Sequence, residues 1–134
     1  MTDFAWRKEL SESFGRIMRP VAEVFVKDKR GMWRALTMYV DSGADACVMS
    51  RSFGELFGHV VEKGRSIRMK GFGEEEIRAY VHNMEFKLGN YEIKVKVAIA
   101  DNDNVPNVLG RTDIFNLFEV QFKSRKHCTR FLKN

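Results

Sequence analysis

Between Tyr91 and Ile99 the chain alternates strictly: Tyr91, Ile93, Val95, Val97 and Ile99 are apolar, with Glu92, Lys94 and Lys96 between the first four. A helix would scatter these side chains around its axis, whereas a strand puts them all on one face. A half-buried strand needs partners, because an isolated pair of strands is marginal in water. The rest of the chain reads as those partners. Val21 to Lys27 is rich in β-formers, Asp28-Lys29-Arg30-Gly31 is a turn, and Met32 to Val40 returns. Ala46-Cys47-Val48-Met49 is a short apolar strand, after which Ser50 is placed to cap a helix from Arg51 to Phe57 that Gly58 ends. Val60 to Lys70 is extended, with a turn at Lys63-Gly64. Ile77, Ala79 and Val81 alternate in one phase and Met84, Phe86 and Leu88 in the other, which predicts a β-bulge near His82-Asn83. Gly89-Asn90 is a hairpin turn. Val108-Leu109 is a short buried segment, Arg111 to Asn116 suits a short helix, and Phe118-Val120-Phe122 and His127–Lys133 are the last strands. The expected fold class is all-β: one small, mostly antiparallel domain with one or two short helices.

The 134 residues suit a single domain, and a hydrophobic content of 44% is enough for a real core. Residues 1–19 form an arm of uncertain structure: Trp6, Leu10, Phe14 and Ile17 fall at helical spacing, but the same stretch also reads as an extended arm leading to Pro20. The domain proper is residues 20–134. The first nine residues lack the apolar core of a signal peptide, and no stretch reaches the ~20 apolar residues of a membrane span. Cys47 and Cys128 have no metal-ligand spacing; free thiols in a reducing cytoplasm are the simple reading, with one disulfide as the lesser alternative. The net charge of +5 is concentrated in Lys123, Arg125, Lys126 and Arg130, with more in Lys27, Lys29, Arg30 and Arg34. Such a balance permits nucleic-acid contact, but a solvated surface is the commoner meaning.

One polar triplet stands apart. Asp41-Ser42-Gly43 follows the apolar run Met38-Tyr39-Val40 and precedes Ala44-Asp45, and no other Asp in the chain is followed by a hydroxyl residue and then glycine. Alone it is an ordinary Asx turn closing a strand. In order along the chain, however, come Gly71-Phe72-Gly73 some thirty residues later and then Val108-Leu109-Gly110-Arg111. Together the three segments resemble the retropepsin-like aspartic proteases, the single-domain family that includes retroviral proteases, over roughly Pro20 to Phe122.

The resemblance implies a closed retropepsin-like β fold that is active as a homodimer, with no metal or cofactor. Asp41 would be the catalytic carboxylate, and its mate would come from a second copy of the chain. Ser42 would bond across the two-fold axis. Gly43 would let the substrate backbone approach, with Ala44 and Asp45 lining the cleft. Arg111 would form an ion pair with Asp45, and Gly71, Phe72 and Gly73 would form the tip of a flap over an extended peptide substrate. The acids Glu74, Glu75 and Glu76 depart from the neutral residues expected after a flap tip.

Other readings are weaker. Asp101-Asn102-Asp103-Asn104 opens like a calcium loop but lacks the later Gly and Glu. His59, His82 and His127 have no zinc spacing, and Ser50 and Ser52 carry no nucleophile motif. The alternatives to an aspartic endopeptidase are a peptide-binding module that does not cleave and a basic nucleic-acid-binding domain.

Overall fold

A computed structural model of the chain describes residues 1–71 and 75–134. Seven strands form one sheet that rolls up on itself. They are β4 (Val21–Lys27), β5 (Trp33–Val40), β6 (Cys47–Met49), β7 (Arg65–Lys70), β8 (Glu76–Leu88), β9 (Tyr91–Ala100) and β10 (Val108–Leu109). Their spatial order is β4-β5-β10-β6-β9-β8-β7, and a second pairing of β4 with β8, Val26 opposite Phe86, closes the barrel. The all-β expectation holds.

Alternation along each strand sets the core. Val24 and Val26 on β4, Leu36 and Met38 on β5, Phe86 and Leu88 on β8, and Val95 and Val97 on β9 all point inward and are buried. The β4–β5 turn is tied by the Asp28 carboxylate, which accepts the N–H groups of Arg30 and Met32, each at 2.9 Å. Gly31 there takes φ 85°, a left-handed conformation that other residues rarely adopt.

The structure corrects several expectations. No bulge interrupts β8: its register with β9 runs unbroken from Ala79 opposite Ala100 to Leu88 opposite Tyr91. The apolar phase changes because burial changes from one-sided to two-sided. Val97, Ala98, Ile99 and Ala100 at the end of β9 are all buried, and Ala79 is buried beside them. Of the two readings left open for the N-terminal residues, the structure takes the extended one. β1 (Thr2–Ala5) pairs with the last strand, and β2 (Arg7–Ser11) and β3 (Gly15–Arg19) form a separate hairpin. β11 (Phe118–Lys123) and β12 (Cys128–Lys133) complete a small sheet in the order β1-β12-β11. Cys47 and Cys128 are free thiols, and burial pushes the Cys47 thiol up to about 11.

The helix α1 (Arg51–Leu56) lies where expected, but the Ser50 side chain makes no cap bond. Asp103, from the loop after β9, accepts the Ser52 N–H at 2.7 Å and bonds the Ser52 hydroxyl as well. Gly54 lets the helix settle on the barrel, since a Cβ there would stand 2.7 Å from Ile99 Cγ2. The segment Arg111–Phe115 is an irregular turn, not a helix: Thr112 is extended at ψ 127°, and Asp113 has φ 70°. That geometry is held from outside, because the Asp113 carboxylate accepts the Lys96 N–H of β9 at 2.8 Å.

Candidate active site

Asp41 follows the last residue of β5, where the strand leaves the barrel. Its N–H donates to Leu109 O at 3.0 Å, one hydrogen bond beyond the parallel pairing of β5 with β10. The backbone then reverses: Ala44 N–H donates to Asp41 O at 3.2 Å. The Gly43 N–H donates to Asp41 Oδ1 at 2.9 Å, which fixes the carboxylate. This is the Asx turn of the ordinary reading, and here it presents an exposed carboxylate at one end of the barrel. Among the described residues, Asp41 Oδ2 receives no hydrogen bond.

The turn is clamped from behind by the segment after β10. Arg111 N–H donates to Ala44 O at 2.8 Å, Thr112 N–H to Asp45 O at 2.8 Å, and Thr112 Oγ1 to the same carbonyl at 2.7 Å. Gly110 makes this approach possible, because a Cβ on it would stand 2.3 Å from Ala46 O. The Asp41 loop and the Gly110-Arg111 segment, far apart in sequence, are thus one unit.

The Asp45–Arg111 ion pair is not formed among the described residues. The Arg111 guanidinium instead reaches Ser42 O at 3.5 Å. Both side chains are exposed, where an ion pair gains little over hydration, so the backbone bonds carry the connection. Ser42 and Gly43 are exposed and Ala44 is half-buried. Gly71 is exposed at the end of β7, while Phe72 and Gly73, the rest of the expected flap tip, lie outside the described residues. On either side of them, β7 pairs with β8 from Arg65 opposite Val81 to Lys70 opposite Glu76.

A pocket of ≈ 500 Å³ opens beside Asp41, lined by Tyr39, Val40, Pro106, Val108, Glu9 and Arg19. Sequence reasoning missed Glu9 and Arg19, which come from the N-terminal hairpin. Glu9 bonds Arg7 and Arg19, both at 2.9 Å, and accepts the Tyr39 hydroxyl at 2.8 Å. These contacts hold its carboxyl below the usual range against the opposing effect of burial. No local pattern connects residue 9 with residue 39, so nothing in the sequence could have indicated this.

Among the described residues, no group of three His, Cys, Asp or Glu is placed to hold a metal ion. His59 is buried, stands edge-on to His82 with ring centroids 5.1 Å apart, and has no partner for Nδ1 among the described residues. In the C-terminal basic cluster, Arg130 is held by both oxygens of Asp3 at 2.8 and 2.9 Å. Among the described residues, no helix is long and apolar enough to cross a membrane.

Comparison with known proteins bears out the fold. Residues 26–112 match the family model described as aspartyl protease. No curated protein sequence matches the chain. Among solved structures, a retropepsin-like aspartic protease from Rickettsia conorii superposes with a TM-score of 0.60 at 16% identity, over 96% of this chain and 95% of the other. The retroviral protease-like domain of Ddi1 from Leishmania major gives 0.62 at 15% identity, over 86% and 89%. EIAV protease complexed with the inhibitor HBY-793 gives 0.51 at 23% identity, over 69% and 82%. At these identities the likeness is one of fold, and the fold is retropepsin-like.

Proposed function

The chain belongs to the aspartyl protease family, and from that premise we propose that it is an aspartic endopeptidase working as a homodimer. It hydrolyses peptide bonds with a water held between two Asp41 carboxylates, one from each protomer. The observation that carries this reading is Asp41 itself: an exposed carboxylate, fixed at Oδ1 and set at one end of the barrel, in a chain with a single Asp-Ser-Gly triplet.

The chemistry needs two such groups. Two carboxylates about 3 Å apart cannot both ionise easily, so they share one proton. The ionised member draws a proton from the water as it attacks the scissile carbonyl. The protonated member donates to the carbonyl oxygen, and the tetrahedral intermediate collapses as the amide nitrogen takes up a proton. The Gly43 side of the turn has no side chain to obstruct an extended substrate, and the β7–β8 hairpin serves as the flap, with Gly71, Phe72 and Gly73 at its tip.

The test is cleavage of a mixed peptide library across about pH 3–7, a range that brackets titration of such a pair. Wild type and Asp41→Asn are compared at a concentration where the dimer is verified. Cleavage by wild type alone supports the reading; equal cleavage by both overturns it. The second reading is a peptide-binding module that does not cleave, favoured by the exposed acids Glu75 and Glu76 beside the flap tip. Saturable peptide binding without turnover at any pH would select it.

A further inference from the structure

We propose that the N-terminal hairpin β2–β3 is a clasp that docks on a second copy of this chain across the Asp41 end of the barrel. The proposal rests on the dimeric reading above and adds to it the element that holds the two copies together.

The hairpin is incomplete as it stands. β2 pairs only with β3, from Arg7 opposite Arg19 to Ser11 opposite Gly15, so both outer edges lack a strand partner among the described residues. A lone two-stranded ribbon is marginal in water, and an open edge is a template for pairing with another chain. Near its tip, Leu10 is 82% exposed and Phe14 83%, more than any other large apolar side chain among the described residues. Two such side chains near the tip of one ribbon with no core of its own favour a surface that a partner covers.

Its position determines what covers it. The hairpin is planted beside the catalytic loop: Arg7 Nη2 donates to the Tyr39 hydroxyl at 3.0 Å, that hydroxyl donates to Glu9, and Val40 N–H donates to Pro20 O at 3.1 Å. Glu9 and Arg19 share the pocket that Asp41 lines. If two Asp41 carboxylates must meet within about 3 Å, the base of each hairpin stands close to the axis on which they meet. A five-residue strand is ~17 Å long, enough to carry Leu10 and Phe14 past that axis onto the other copy. Thr2–Ala5 is held along one edge by β12 of the same chain, whereas β2 and β3 are held only by each other. The hairpin is therefore the less supported of the two N-terminal elements and the better candidate for the task.

The experiment uses the full chain and a double variant, Leu10→Glu with Phe14→Glu. Both side chains are exposed, so the fold should survive, and an unfolding midpoint measured at low protein concentration checks this. Sedimentation velocity should show the dimer dissociation constant rising at least tenfold in the variant, with its specific activity recovering as concentration rises. Hydrogen exchange should show Lys8 to Arg19 gaining protection in wild type as the dimer forms, but not in the variant at the same concentration. An unchanged dissociation constant overturns the proposal. So does a raised KM with the dimer intact, which would make the hairpin a second flap over substrate. A dimer lost in the double variant, combined with absence of cleavage by wild type, would retain the clasp and reject the enzyme.

Discussion

The loop Asp41–Ala46 and the hairpin β2–β3 lie side by side around one pocket, and they are stabilised differently. The loop has no regular structure, yet Leu109, Arg111 and Thr112 bond the backbone of Asp41, Ala44 and Asp45, and Gly110 lies close behind it. The hairpin has a regular ladder of cross-strand pairs but little burial, and its contacts with the rest of the chain gather at its base around Tyr39. Regular hydrogen bonding and tertiary anchorage thus part company here. A short irregular loop locked to a barrel is better determined than a two-strand ribbon without a core.

Asp41→Asn separates chemistry from stability most sharply. Turnover should fall by about 10³-fold or more, within the range attributed to acid–base groups, while the urea unfolding midpoint stays unchanged. A large loss of stability would mean that the loop is held by the carboxylate and not by the backbone clamp. Gly110→Ala attacks the clamp itself. Its Cβ would meet the Ala46 carbonyl at 2.3 Å, so urea titration should show a loss of about 3 kcal/mol. The displaced loop should cost turnover as well, since a 1 Å misplacement can be worth about 10²-fold. Normal activity in this variant would show that the loop holds its place without the close approach.

The next effect concerns a buried histidine just after α1. Burial, with smaller contributions from His82 and Lys29, pushes the His59 imidazole down from 6.5 to about 4. Above pH 6.5 neither folded nor unfolded chain protonates this group, and it leaves stability unchanged. Below 6.5 the unfolded chain takes a proton that the folded one refuses, so stability falls as the pH drops and levels off below about 4. The full loss is on the order of 3 kcal/mol. Denaturant titrations between pH 7 and 4 should show this slope in wild type and lose it in His59→Phe. Asp28, held low chiefly by the Met32 N–H, and Glu62, held low by Arg51, add losses only below their usual values of 3.8 and 4.5. Activity in acid would therefore have to coexist with a weakening fold.

Tyr39→Phe gives the smallest effect and tests the hairpin's anchorage. It removes the hydroxyl shared by Arg7 and Glu9. Hydrogen exchange at low protein concentration should speed up from Arg7 to Arg19 while the barrel strands keep their rates. Acceleration spreading into β4 and β5 would show that hairpin and barrel unfold together.

Much of this architecture was legible because a half-buried strand prints its burial in steps of two. Tyr91 to Ile99 does so; Val21 to Lys27 and the run into Asp41 were marked instead by β-formers around a turn, and the Asp-Ser-Gly triplet with its two companion segments pointed to the family. The failures share a cause. The phase change in β8 comes from burial on a second face, supplied by distant strands, and not from an inserted residue. The four-residue spacing of Trp6, Leu10 and Phe14 implies a helix only if those residues share a buried face; here Trp6 bonds Thr129, while Leu10 and Phe14 face solvent. The cap of α1 comes from Asp103 and the shape of the Arg111 turn from Lys96, each a partner remote in sequence.

Local chemistry, read from the sequence alone, determined that this chain is a small β domain and where its main strands run, while Asp41 became a candidate catalytic carboxylate only through the resemblance that three ordered segments carry. Periodicity and turn residues depend on neighbours along the chain, and those neighbours were visible. Only the tertiary structure decided that Gly110 and Arg111 clamp the loop through the backbone, that Glu9 and Arg19 share the pocket of Asp41, and that the N-terminal strand pairs with β12. Those outcomes depend on which distant segments the closing barrel brings within hydrogen-bonding reach, and no local pattern encodes them.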